Sequence, residues 1–132
     1  MAYVYTFDLT RAEIEELIAP AKQPSGLFGG LKRKATASGS ARIADRNEGH
    51  VTAELSETGI RLTDARGVRD MRWAKVHYVV ERPGHWGTQD VAHGAAILPA
   101  SAVPEDERAA LAEQLRAWVG AKYKVREGGL EG

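Results

Sequence analysis

Residues 3–9, Tyr-Val-Tyr-Thr-Phe-Asp-Leu, alternate large apolar side chains with others, the two-residue period of a half-buried strand. Thr10 follows, with Glu13 three residues on, which is a capping box at a helix start. Ile14, Leu17 and Ile18 then recur at helical spacing and Pro20 ends the helix. From residue 42 onward short apolar-alternating segments predict strands at Arg42–Arg46, Val51–Leu55, Ile60–Thr63, Val68–Trp73, His77–Arg82, Asp90–His93 and Ala95–Leu98. Turn signals separate them: Asn47-Glu48-Gly49, Glu57-Thr58-Gly59, Asp64-Ala65-Arg66-Gly67, Pro83-Gly84-His85-Trp86-Gly87 and His93-Gly94. The period returns to helical after Pro104, where Leu111, Leu115, Trp118 and Val119 form one stripe. Glu105, Asp106 and Glu107 suit the positive end of that helix, and Lys122, Lys124 and Arg126 the negative end. Gly128-Gly129-Leu130-Glu131-Gly132 reads as a frayed tail.

This pattern predicts an α+β chain, mainly β. The expected form is an antiparallel sandwich or barrel of about seven strands, capped by a C-terminal helix, with a short N-terminal strand and helix. The length of 132 residues implies a single domain over 1–132. Residues 20–40 break the pattern with Pro, Ser, Lys and four glycines, and read as a flexible loop of about twenty residues.

Composition narrows the chemistry. The absence of cysteine removes disulfides, thiolate metal sites and cysteine nucleophiles. The net charge is zero, so the molecule as a whole has no field to gather nucleic acid. No run approaches the roughly 18 apolar residues of a membrane span, and the early acidic residues of the N-terminus predict no signal peptide. Charge is uneven locally: residues 20–50 carry six basic side chains against two acidic ones.

Three stretches carry a family resemblance. They are Leu55-Ser56-Glu57-Thr58-Gly59-Ile60, Met71-Arg72-Trp73-Ala74-Lys75-Val76, and Ala96-Ile97-Leu98-Pro99-Ala100-Ser101-Ala102-Val103 before an acidic helix. With Tyr5-Thr6-Phe7-Asp8-Leu9-Thr10 at the start, they resemble the bacterial YcxB-like family over residues 3–18 and 51–119. The resemblance implies a pleckstrin-homology-like fold and a setting near the membrane, and no assigned reaction. Members carry two transmembrane helices after the first element; residues 20–40 here are short and polar instead.

Candidate contacts follow from local chemistry. Lys32, Arg33 and Lys34 come after Leu27, Phe28 and Leu31, a basic-hydrophobic run suited to an anionic lipid surface. Each cation near such a surface contributes about 1 kcal/mol, so the contact would be weak and transient; the alternative is a solvated loop. Three cations make too few phosphate contacts for nucleic-acid binding to be expected. His85 and His93, with Asp90 between, flank a predicted hairpin and could hold a metal or small ligand across it. Trp86 beside His85 falls in the predicted turn, where it would be an exposed partner contact, or else folds back over its own sheet. Trp73 and Trp118 read as core, and no serine sits in a nucleophile motif.

These observations lead to an expected non-catalytic bacterial binding or assembly module. It would act through protein–protein contacts with an unidentified protein partner or as a homo-oligomer paired at strand edges. No cofactor and no nucleic acid are implied. The expected location is the cytoplasm; in the alternative reading, peripheral association through the 27–34 loop places the chain at the inner face of the cell membrane.

Overall fold

A computed structural model describes residues 2–18 and 42–131. The 20–40 loop, with Phe28, Lys32, Arg33 and Lys34, lies outside the described residues. Strands dominate. The order is β1 (Tyr3–Leu9), α1 (Arg11–Ile18), α2 (42–47), β2 (Gly49–Leu55), β3 (Gly59–Asp64), β4 (Gly67–Arg72), β5 (Tyr78–Arg82), β6 (His85–Asp90), β7 (Gly94–Pro99), α3 (Glu105–Val119) and β8 (Tyr123–Val125). They form two four-stranded sheets, β1-β2-β3-β4 and β7-β6-β5-β8. The first sheet is antiparallel throughout; in the second, β8 runs parallel to β5. No closed barrel forms among the described residues.

The first sheet follows the alternation directly. Tyr5, Phe7, Leu9, Val51, Ala53, Leu55, Ile60, Leu62 and Met71 are buried on one face, and their neighbours face solvent. Opposite them stand Val79, Trp86, Ala96 and Leu98 of the second sheet. The α3 stripe enters the same cluster, with Leu111 0% and Leu115 1% exposed, and Trp118 and Val119 partly buried. Leu55, Ile60, Trp73, Val79, Trp86 and Leu115 meet around an apolar void of about 20 Å³. The helix therefore closes a core that two sheets alone would leave open.

The start of α1 is the predicted capping box: Glu13 N donates to Thr10 Oγ1 at 3.1 Å and Thr10 N to Glu13 Oε1 at 3.1 Å. Ile14 is fully buried and Leu17 partly so.

Five expectations are corrected. Residues 42–47 are helical, not a strand, because Ala44 and Asn47 share an inward face three residues apart. Asn47 Nδ2 fixes this by donating to Ile43 O at 2.8 Å and to Ala95 O in β7 at 3.0 Å. The turn at 83–87 is only two residues long: Pro83 sets its entry and Gly84 takes φ 86°, as a type II turn requires. His85, Trp86 and Gly87 consequently begin β6. Residues 91–93 form the next turn, held by His93 N donating to Asp90 Oδ1. The strands therefore number eight, the eighth being the short parallel β8. Finally, the C-terminal segment docks: Leu130 N donates to Glu81 Oε2 at 3.2 Å and Leu130 packs on the core. Gly129, at φ 67°, lies so close to Glu81 that an added Cβ would clash.

Replacing Leu111 with Ala should cost about 2–5 kcal/mol, because the site is sealed between α3 and both sheets and cannot collapse. Urea unfolding monitored by tryptophan fluorescence gives that value, and a loss under about 1 kcal/mol would mean that α3 does not close the core.

Candidate functional site

The structure sorts the predicted contacts. His85 and Trp86 are each 3% exposed, so neither is the surface contact that a turn position implied. Trp86 points into the core, where its Nε1 donates to Tyr123 Oη at 3.1 Å; that hydroxyl donates to Glu81 Oε1 at 2.5 Å. This chain ties β6, β8 and β5 together across one sheet.

His85 and His93 stand at opposite ends of β6, roughly 20 Å apart along a six-residue strand. They do not converge, and no group of three metal-ligating side chains occurs among the described residues. His93 instead pairs locally, its Nδ1 2.9 Å from Asp90 Oδ2. Burial alone would raise the Asp90 pKa, yet the hydrogen bonds from the His93 ring and backbone hold it below the usual carboxylate range. His50 pairs with Asp8 at 2.9 Å on the exposed face of the first sheet. Among the described residues no hydroxyl is hydrogen-bonded to either imidazole, so neither pair has a nucleophile in place.

Among the described residues β1, β4, β7 and β8 are edge strands, and β4 combines its edge with an exposed outer face of paired opposite charges. β4 pairs with β3 on one side only. Trp73 N, just past β4, donates to Thr58 O at 3.1 Å. In an antiparallel ladder hydrogen-bonded and open pairs alternate, so 71, 69 and 67 face β3 in the same way. The backbone groups of Val68, Asp70 and Arg72 therefore point away from β3, and of these the Arg72 carbonyl is taken up by Lys75 N and Val76 N at 2.8 and 3.1 Å. Their side chains are exposed on its outer face, Val68 by 60%. Asp70 is 3.4 Å from Arg61 across the β3–β4 pair, a surface ion pair of little energetic weight.

The inner side of β4 carries a second feature that the sequence reading passed over. Arg69 is only 9% exposed. It shares the inward parity of Met71 and Trp73, and that parity was the available signal. Its Nη1 donates to Ala95 O and its Nη2 to Asn47 Oδ1, both at 3.0 Å. Arg66 of the β3–β4 turn donates to the carbonyls of Arg46 and Glu48 at 2.9 and 2.7 Å, which closes the end of α2.

No family model matches this sequence, and no curated protein and no solved structure matches it either. None of the helices among the described residues is long and apolar enough to cross a membrane.

Among the described residues the His85 imidazole has no hydrogen-bond partner at Nδ1. Burial, and secondly the charge of Arg82, push its pKa down to about 4 from the ordinary 6.5. The native state thus takes up its proton near pH 4, whereas the unfolded chain does so near pH 6.5. Stability from this group is complete above about pH 6.5 and falls as pH drops toward 4, by on the order of 3 kcal/mol at most. Replacing His85 with Leu should flatten that part of the profile; chemical denaturation of both proteins from pH 7 to pH 4 compares the slopes. Parallel slopes would show that His85 is not titrating in the unfolded state alone.

Proposed function

We propose that the chain is a non-catalytic assembly module of pleckstrin-homology-like type, which pairs with a second copy of itself along the open edge of β4. The observation that supports this is the outward-facing backbone of Val68 and Asp70, with the Arg72 N–H, on an exposed edge strand. Such an edge is a template for another strand.

Charge selects the partner and the register. In a two-fold antiparallel pair centred on Met71, Asp70 stands opposite Arg72 of the second copy, and Arg72 opposite its Asp70. Arg72 O already accepts from Lys75 N and Val76 N, so each pair adds one main-chain hydrogen bond, from Arg72 N–H to Asp70 O, and an ion pair. Shifting the centre to Asp70 puts two carboxylates face to face, which is unfavourable. The two-fold operation also satisfies both edges at once, so the assembly stops at two copies.

Sedimentation equilibrium over a range of protein concentrations tests this. Asp70→Arg alone places like charges opposite each other twice and should weaken the dimer roughly tenfold or more. Asp70→Arg combined with Arg72→Asp restores the complementarity and should restore the dimer. Asp70→Pro removes an outward N–H without touching the β3 ladder, and should leave a folded monomer. A wild-type protein that stays monomeric at all accessible concentrations overturns the reading. So does a dimer indifferent to all three variants.

A further inference from the structure

We propose that Arg46, Arg66 and Arg69 form a binding site for a phosphate-type oxyanion beside the N-terminal end of the β4 edge. The three guanidinium-bearing residues line one groove of about 160 Å³ together with Asp64, Gly67 and Val68. They arrive from three elements: Arg46 from α2, Arg66 from the β3–β4 turn and Arg69 from β4. Distinct elements fix the cluster in place, so its charges cannot relax apart as on a single mobile loop.

The charge count in the groove does not balance. Asp64 is the single carboxylate among the lining residues. It is already engaged, accepting from Arg66 N at 2.8 Å and standing 3.3 Å from the Arg66 guanidinium. Among the described residues neither Arg46 nor Arg69 has a carboxylate within ion-pair distance. Asp90, the other nearby acid, is held by His93. Residues 19–41 hold no acidic side chain that could serve.

Arg69 sharpens the point. A charged group this deeply buried is normally paired. Its two bonded nitrogens reach only neutral acceptors, Ala95 O and Asn47 Oδ1. Burial, with Arg46 and Arg66 nearby, disfavours its charged form. An anion seated between the three guanidiniums would supply the missing charge and accept their remaining N–H donors. Arginine forks match the oxygen geometry of phosphate, and charge-assisted bonds of this kind are the strong ones. The groove is smaller than the range of about 300–1,000 Å³ typical of organic ligands. It suits a free phosphate ion or the phosphate end of an ester, not a whole nucleotide.

The test is titration of the full chain with inorganic phosphate at fixed pH and ionic strength, followed by amide chemical shifts. The expected result is a saturating change at Gly67, Val68 and Arg69 in the millimolar range, weakening as salt rises. Arg46→Gln should weaken binding at least tenfold while chloride-buffer stability shows that the variant is folded. Asp64→Asn keeps the turn acceptor and removes the competing negative charge, so it should tighten binding several-fold. That opposite sign cannot come from damage to the fold. A parallel titration with glycerol phosphate separates the sources. Tighter binding than inorganic phosphate assigns an esterified phosphate, and weaker binding assigns the free ion. Shifts that do not saturate, or that are the same in wild type, Arg46→Gln and Asp64→Asn, would overturn the site. Arg46→Gln and Asp64→Asn leave Asp70 and Arg72 in place, and sedimentation of the same samples reads the oligomeric state, so the two proposals fail separately.

Discussion

The contact between Trp73 and Trp118 is the joint on which the two sheets turn. Trp73 stands where the chain leaves the first sheet for the second. Its ring stacks on Trp118 of α3 at 6.3 Å between centroids, with 22° between planes. Its Nε1 donates to Ser56 O at 2.7 Å, its backbone N to Thr58 O, and its carbonyl accepts from Lys122 Nζ at 2.9 Å. Tyr3 of β1 meets the far side of Trp118 edge-on at 6.1 Å. Trp73, through its ring and its backbone, thus fixes the β2–β3 turn, the crossover and the end of α3, and Trp118 extends the contact to the first strand. Aromatic pairs of this geometry contribute about 0.5–1.5 kcal/mol beyond their buried area. Their greater effect here is positional, since α3 can cap the core only if its Trp118 end is anchored at the crossover.

The legible parts of the sequence were those where a side chain's period and its burial agree. β1, β2, β3 and α3 carry apolar residues on one parity or stripe and polar residues on the other, and each lies where the pattern put it. The short helix α1 was legible through its reciprocal Thr10–Glu13 cap. The segments that misled have buried polar residues. His85, Thr88 and Asp90 make β6 look like turn and strand-end chemistry, although all three are under 9% exposed. Asn47 did the same for α2, because its amide replaces an apolar contact with hydrogen bonds to Ile43 and Ala95. β8 was invisible because three residues cannot show a period, and its partner is set by β5 through Tyr123 and Glu81.

The candidate site was less legible than the fold for a related reason. The residues singled out for exposure, His85 and Trp86, are bulky groups beside glycine, which reads as a turn until the two-residue Pro83-Gly84 loop is counted correctly. Arg69 and Arg66 looked like ordinary surface cations. Only the pairing of β4 with β3 shows that Arg69 lies on the inward parity, and only the packing of α2 brings Arg46 beside it. A net charge of zero concealed this as well, since balance over the whole chain says nothing about balance within one groove.

The two faces of β4 also constrain each other. An inward charge on an edge strand is one of the ways proteins keep edges from indiscriminate pairing. Arg69 is such a charge, and a partner strand offset by one residue would meet 67, 69 and 71, whose backbone groups already face β3, so no ladder can form there. Slippage by two residues meets the alternation of Asp70 and Arg72, whose ion pairs invert to repulsion when the centre moves to Asp70. An edge with six residues and these two safeguards is open only to a partner of matching charge order. A second copy in antiparallel register has that order by symmetry, and an arbitrary strand does not. In the proposed pairing, the same residues that make β4 an awkward edge for aggregation are the ones that would make it specific for a second copy.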